Sequence, residues 1–306
     1  MVNMLTSISI RITCFTAMKK TMSMETEIAM TMTILNTMRF STKPLRVIFF
    51  ILIIVTHTFL TTSFAAHPLI TDDTGTQGKG KFLFELNGQT SYDREKSSDD
   101  TGTNIMTKGR ESEVKAALTY GIMDNVDIIM GFPYQWKKEK ENDATTSDVS
   151  GIADMSLEVK WRLFDKDGFS IALKPGLTLP AGNKGKDLGT GRTTGTLYFI
   201  TTKEVNPMVF HVNLGYKRNE NQLEQREDIW HASLAGEIKV IKDLKLVANI
   251  GTERNTDKAS GTNPAYILGG FVYSIRENLD TDFGIKIGLN EIEKDITFLG
   301  GIALRF

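Results

Sequence analysis

The chain closes with FLGGIALRF, residues 298–306, and this stretch decides the fold. Its even-numbered positions form an apolar series interrupted only by Gly300, consisting of Phe298, Gly300, Ile302, Leu304 and Phe306. The odd-numbered series is mixed and includes Arg305. Because successive side chains of a β-strand point to opposite faces, the stretch predicts a closing strand with one apolar face. Such a strand needs a hydrogen-bonding neighbour, for which residues near Phe82 are the candidate, and Phe306 needs an apolar environment.

The same period of two recurs along the chain after residue 80, where no segment has a convincing helical period. The clearest cases are residues 126–136, 155–163 and 279–289. Alternation predicts twelve strands, at 81–93, 110–122, 126–137, 153–164, 169–180, 195–203, 208–217, 228–240, 244–253, 264–275, 279–290 and 295–306. In the sixth, the apolar face is ambiguous, because Leu197 and Phe199 compete with Tyr198 and Ile200.

The connections between these strands alternate in length. One set consists of tight turns rich in Asp, Asn, Gly and Pro, at 123–125, 165–168, 205–207, 241–243 and 276–278. The other set is mostly long and polar, at 94–109, 138–151, 181–194, 218–228 and 254–263, with one short member at 291–295. Short periplasmic turns opposite long extracellular loops are typical of outer-membrane barrels, and an even strand count places both termini in the periplasm.

The aromatic residues indicate which face points outward, since a soluble lipocalin-like barrel would alternate too but would bury its apolar face. Aromatic side chains on the apolar parity fall near strand ends, which predicts two girdles at the bilayer interfaces. The predicted lipid-interface anchors are Tyr92, Tyr120, Trp136, Trp161, Tyr216, Trp230, Tyr273 and Phe306. The expected fold is an all-β, transmembrane, antiparallel up-and-down β-barrel of about twelve strands, in the outer membrane of a Gram-negative bacterium.

The opposite parity carries charged residues, which predicts a wet lumen. A charge that faces lipid costs up to about 2–4 kcal/mol at the midplane, so these groups belong inside. The predicted channel-lining residues are Glu85, Glu113, Lys115, Glu158, Lys160, Arg162, Lys174, His211, Glu237, Lys239, Lys286 and Arg305, with Asn213 beside them. The competing interpretation of any one of them is that it only pairs with neighbours and hydrates the interior. Twelve strands predict a narrow or plugged lumen.

The N-terminal part divides into three segments. Arg39, Lys43 and Arg46 precede the apolar run Val47–Leu60, and small residues follow, so residues 38–65 are predicted to be a secretory signal peptide. The run is too short for a spanning helix. We expect residues 1–37 to be a gene-model extension, with Met38 as the true start, or a disordered segment. Residues 66–80 are expected to form either a periplasmic tail or a plug, and residues 81–306 the barrel.

Composition excludes several classes of function. The lone cysteine, Cys14, excludes an intramolecular disulfide and a cysteine-rich zinc site. The near-zero net charge argues against a nucleic-acid partner. Calcium binding by Asp72 and Asp73 is conceivable, but two adjacent carboxylates fall far short of the usual six to eight oxygens. We therefore expect no metal and no cofactor.

Three stretches resemble a known family. HPLITDDTGTQGKGKFLFELNG (67–88), KPGLTLPAGN (174–183) and the closing aromatic strand are similar to the outer-membrane family called putative MetA-pathway of phenol degradation. The resemblance covers nearly all of residues 67–306. It implies an outer-membrane transporter that passes small hydrophobic or aromatic compounds. The terminal phenylalanine also looks like the signal read by the barrel-assembly machinery, which would make that machinery a partner during biogenesis.

Three functions are compatible with these patterns. The leading hypothesis is a channel or transporter for a small-molecule solute, which is not an enzyme. The second is a phospholipase-like barrel enzyme, because WHASL places His231 and Ser233 two residues apart on one strand. Their parity points inward, away from lipid, and the sequence names no third residue to orient the histidine. The third is a structural or adhesive barrel whose long loops bind a partner outside the cell, although they lack obvious aromatic anchors.

Overall fold

The computed structural model describes residues 67–98, 102 and 104–306. The segments 1–37 and 38–65, for which a gene-model extension and a signal peptide are predicted, lie outside these residues. Within the described part of the chain, no helix has the length and hydropathy needed to cross a membrane.

In the described residues, thirteen antiparallel strands follow one another, with one turn of 3₁₀-helix at Lys184–Lys186. The strands are β1 (Phe82–Ser98), β2 (Asn104–Met123), β3 (Val126–Glu141), β4 (Ala144–Ile152), β5 (Met155–Lys166), β6 (Phe169–Leu179), β7 (Thr194–Val205), β8 (Met208–Arg218), β9 (Asp228–Ile241), β10 (Leu244–Glu253), β11 (Ala265–Arg276), β12 (Leu279–Gly288) and β13 (Ile296–Arg305). Each of the five tight turns predicted from the sequence joins two neighbouring strands.

Hydrogen bonding closes the sheet into a barrel. Every strand except β4 pairs with the next one along the chain, β3 pairs with β5 as well, and β1 pairs with β13. Because β4 and β5 pair with the two halves of the same strand, β3, they occupy one position in the wall. The barrel therefore has the twelve positions that the sequence predicts. The closing strand has the predicted neighbour: the Phe306 N–H donates to the Phe82 carbonyl at 2.9 Å, and the Phe82 N–H donates back at 3.2 Å.

The apolar parity faces outward. All eight predicted anchors have exposed side chains, from 36% for Tyr120 to 68% for Phe306. Phe82 stacks on Tyr120 near the short turns, with ring centroids 4.5 Å apart. In β7, whose apolar face the sequence leaves ambiguous, the face with Leu197 and Phe199 points outward. Both side chains are exposed, whereas Ile200 is fully buried.

The spacing between the aromatic girdles matches a bilayer. On β1, ten residues separate Phe82, near the short turns, from Tyr92, near the long connections. At about 3.3 Å per residue and a tilt of about 40°, this corresponds to about 25 Å along the membrane normal. That distance is the height of the apolar band expected of a transmembrane barrel.

Two predicted loops are wrong. Residues 94–109 belong largely to β1 and β2, which extend to Ser98 and from Asn104, and residues 138–151 form the end of β3 and all of β4. The turn between β3 and β4 is made by Asn142 and Asp143, both with positive φ, which suits a two-residue hairpin. Above the bilayer both faces of a strand meet water, so these extensions lack the alternation in hydropathy by which the others are recognised.

Candidate channel interior

The segment His67–Gly80, which we call the strap, lies against the inner wall of the barrel. It is fixed by hydrogen bonds to inward-facing side chains on several strands. The Asn249 carboxamide oxygen accepts from the Ile70 and Thr71 N–H groups at 2.8 and 3.0 Å, and the Thr74 N–H donates to Thr202 at 3.1 Å. Because Thr202 and Asn249 lie on β7 and β10, the strap spans the lumen near its short-turn end.

Both ends of the strap contact the wall. The Gly80 N–H donates to the Gly121 carbonyl at 2.8 Å, and the Gln77 N–H donates to the Asp127 carboxylate at 3.0 Å. At the other end, His67 lies 2.5 Å from the Asp282 carboxylate on β12. The strap therefore contacts β2 and β3 at one end and β12 at the other.

A charge cluster stands at the middle of the strap. The two oxygens of Asp72 accept hydrogen bonds from Lys160 on β5 at 2.7 Å and from Lys174 on β6 at 2.8 Å. All three side chains are largely buried. Burial alone would raise the pKa of Asp72, but the two ammonium groups and their hydrogen bonds outweigh it and lower the pKa below the ordinary value.

Glycines on the wall make room for the strap. A Cβ at Gly121 would lie 2.0 Å from the Gly78 carbonyl oxygen, and a Cβ at Gly284 would lie 2.9 Å from the Pro68 ring. Both distances are too short for a side chain, so the strap can approach these points only because the wall has no Cβ there.

Most of the other predicted lining residues pair with neighbours. Glu237 accepts a hydrogen bond from Lys245 at 2.7 Å and lies 3.5 Å from His211, and Arg305 donates to Asp280 at 2.6 Å. The remaining contacts are Lys286 to Glu293 at 2.7 Å, Glu113 to Gln135 at 2.7 Å, Glu158 to Lys174 at 3.7 Å and Arg162 to Asp165 at 3.3 Å. Asn213 faces the backbone of Asp72. Lys239 is exposed near the short-turn end of β9.

Glu85 and Lys115 line a cavity of about 210 Å³ between the strap and the wall. His67, Asp72 and Lys160 contribute to the same cavity. The side chain of Lys115 has no carboxylate within 4.0 Å among the described residues. The cavity therefore combines the Glu85 carboxylate with the Lys115 ammonium group, which has no close ion-pair partner in the described part of the chain.

The pair His231 and Ser233 has a third group beside it, which the sequence does not reveal. The His231 Nε2 lies 3.0 Å from the Ser233 hydroxyl, and its Nδ1 lies 3.6 Å from Glu253 on β10. The sequence alone does not name this residue, because only strand register brings Glu253 opposite His231. However, 3.6 Å exceeds a hydrogen bond, and Ser233 is buried on the inward face.

No group of three or more His, Cys, Asp and Glu side chains in residues 67–98, 102 and 104–306 could hold a metal ion. Both oxygens of Asp72 are already occupied by lysines.

One of the similar solved structures, an outer membrane channel, supports the fold. An outer membrane channel from Pseudomonas putida F1 superposes with a TM-score of 0.59 at 14% identity, over 76% of this chain and 98% of that chain. The translocator domain of the autotransporter NalP from Neisseria meningitidis gives a TM-score of 0.47 at 12% identity, over 75% and 89% of the two chains. No curated protein matches. A family model matches residues 71–306, so the chain belongs to the family described as "Putative MetA-pathway of phenol degradation".

Proposed function

We propose that this protein is an outer-membrane channel for small molecules and that the strap narrows its lumen from the periplasmic side. The observation that carries the proposal is a closed barrel whose interior is polar and whose short-turn end is crossed by His67–Gly80. Apolar side chains face outward all round the wall, so lipid surrounds the barrel and water fills the lumen.

The solutes are small. The cavity beside the strap, about 210 Å³, falls below the range of about 300–1,000 Å³ that is usual for pockets holding drug-sized ligands. Its walls offer both hydrogen-bond acceptors, from Glu85, and donors, from Lys115. The family description refers to phenol degradation, and a small aromatic compound with a hydroxyl group fits these dimensions and this polarity.

The predicted lining residues act in this proposal as a hydrated wall. Their charges are largely neutralised in pairs across neighbouring strands, so the lumen carries no large net field that would repel a neutral solute. Lys174 and Lys286 also lie 5.5 and 5.4 Å from the ring centres of Tyr198 and Tyr266, which brings aromatic surface into the lumen.

The test is solute flux through the purified, refolded barrel in lipid vesicles. We expect phenol and similar small aromatic compounds to enter faster than in vesicles without protein, and ion conductance to be measurable in a planar bilayer. Absence of both conductance and flux, including after removal of the strap, would favour a structural or adhesive barrel.

The same preparation tests the hydrolase alternative. Ester hydrolysis needs donors for the oxyanion, and the N–H groups of β9 that surround Ser233 are engaged in pairing with β8 and β10. We expect no turnover of phospholipid or of soluble esters, and no effect of Ser233→Ala on flux. Turnover abolished by Ser233→Ala would overturn this assignment.

A further inference from the structure

Five basic side chains gather on the outer face of the barrel, above the aromatic girdle on β1, β2 and β3. We call them the basic patch: Arg94, Lys108, Arg110, Lys138 and Lys140. They share the outward parity of Tyr92, Tyr134 and Trp136, whose side chains are exposed. The basic patch therefore faces the surroundings of the barrel and not its lumen.

Strand register places these like charges directly opposite one another. Arg94 pairs with Lys108, which in turn pairs with Lys140, and Arg110 pairs with Lys138. Like charges in such positions destabilise a sheet unless an anion lies between them. Two carboxylates neutralise two of the five charges. Asp143 accepts a hydrogen bond from Lys108 and Asp148 accepts one from Lys138, each at 2.6 Å.

The other three members of the basic patch form no ion pair within the described part of the chain. Arg94, Arg110 and Lys140 have no carboxylate within 4.0 Å in the part of the chain that the structure describes. Acidic residues are plentiful on the same strands, but they have the inward parity: Asp93, Glu95, Glu111, Glu139 and Glu141. Lys294 lies on that inner side, 3.4 Å from Asp93 and 3.3 Å from Glu111.

Another outward arginine shows the contrast. Arg218 follows the girdle residue Tyr216 on β8, but three carboxylates of the chain itself surround it, those of Glu220, Glu227 and Asp228 at 2.5–3.0 Å. The protein thus surrounds one outward charge with its own carboxylates, whereas Arg94, Arg110 and Lys140 have none within 4.0 Å among the residues that the structure describes.

The height of the basic patch identifies its surroundings. Arg94 is two residues beyond Tyr92, which places it about 5 Å above the aromatic girdle, at the level of lipid headgroups. A concave region of about 730 Å³ lies there, and its lining holds five basic side chains against two acidic ones. It consists of the basic patch together with Tyr92, Asp93, Gly109, Asp295 and Ile296. Arg110 also lies 5.8 Å from the centre of the Tyr92 ring.

We propose that the basic patch binds the phosphate-bearing headgroup of a lipid in the outer leaflet. The phosphates would lie between the rows of like charge, and the acyl chains would continue down the apolar wall below Tyr92. Guanidinium and ammonium groups are the usual partners of phosphate, and each one near a membrane surface strengthens binding to anionic lipid. The inference does not depend on which solute the channel passes.

The experiment titrates the purified barrel in nonionic detergent with bisphosphorylated lipid A and with its dephosphorylated form, and reads the bound lipid by native mass spectrometry. We expect the wild type to prefer the phosphorylated form at least about tenfold. The triple variant Arg94→Gln/Arg110→Gln/Lys140→Gln should lose that preference. A matched variant, Lys166→Gln/Lys203→Gln/Lys242→Gln, removes the same charge near the short turns and should keep it.

Two further measurements keep the result unambiguous. Heat-modifiable electrophoretic mobility shows whether each variant is folded. Asp148→Asn frees Lys138 and should tighten binding of the phosphorylated form severalfold, so it tests the basic patch by a gain even if the triple variant does not fold. Equal binding of the two lipids by the wild type, or displacement of lipid A by equimolar inorganic phosphate, would overturn the proposal.

Discussion

Asp72 is the residue on which the strap depends most. Its carboxylate holds two lysines from adjacent strands, and neither Lys160 nor Lys174 can reach bulk water easily. We expect Asp72→Asn to weaken strap docking by about 1–3 kcal/mol, because it leaves two ammonium groups facing each other inside a lumen that screens them only in part. Hydrogen exchange of the Thr71 and Thr74 amides should accelerate about five- to 100-fold. Asp165→Asn, at an exposed pair, is the control and should change neither.

The pH dependence of the strap follows from the same residue. The pKa of Asp72 is lowered in the folded protein, so its contribution is complete above the ordinary aspartate pKa of about 3.9 and is lost only as pH falls further. Burial raises the pKa of the neighbouring Asp73, so this group gains a proton as pH falls, and its protonation favours the docked strap. We expect exchange-protection of the strap to persist or increase from pH 7 to pH 4, after correction for intrinsic exchange. Release of the strap between pH 7 and pH 5 would contradict this reasoning.

Gly284 tests the fit between strap and wall. Gly284→Ala places a methyl group 2.9 Å from the Pro68 ring, and overpacking of this kind costs about 1–3 kcal/mol. We expect the first residues of the strap to exchange faster while the strands stay protected. Gly269→Ala on the neighbouring strand meets no atom within 4 Å and should behave as wild type. Identical exchange in the two variants would mean that Pro68 does not pack where the structure places it.

Among the elements, the strap can be removed without breaking the barrel, because β1 begins at Phe82 and the wall closes through β1 and β13. Deleting residues 67–79 should therefore leave a folded barrel whose single-channel conductance is severalfold larger. Shortening the connection between β10 and β11 is the control, since it lies at the opposite end. Unchanged conductance in a folded deletion variant would show that the strap does not limit the passage.

Alternation in hydropathy predicts the elements only where one face meets lipid. It locates the twelve wall positions and the outward face of all eight anchors. It misses β4, because water meets both faces of that strand and its sequence therefore shows no alternation in hydropathy. Alternation also cannot predict which charged side chains form ion pairs with each other. Lys160 and Lys174 are recognisable as inward-facing, yet their common partner Asp72 lies far away in sequence, in a segment with no periodicity. Glu253 is hidden for the same reason, because only the register between β9 and β10 brings it to His231.

At the scale of the whole molecule, side chains sort by the solvent that each zone meets. The wall is apolar outside and charged inside across the bilayer, and above the girdle β1–β3 are basic outside and acidic inside. The free-energy cost of placing a charge on the outer face therefore depends on its height in the bilayer. At the midplane a lysine on the outer face costs about 2–4 kcal/mol, whereas the same residue above Tyr92 lies at the headgroups.

The barrel closes where Phe306, the residue after β13, exchanges two backbone hydrogen bonds with Phe82. The Phe306 ring is exposed on the outer face near the short turns. Deleting Phe306 removes both the bonds and an apolar contact worth about 1.5–3 kcal/mol. We expect a modest loss of folded barrel when the urea-unfolded protein refolds into lipid vesicles, read by heat-modifiable mobility. Phe298→Ala removes an aromatic ring from the same face of the same strand. If that variant loses as much folded barrel as the deletion does, loss of the apolar ring explains the effect, and the two backbone hydrogen bonds to Phe82 contribute little to it.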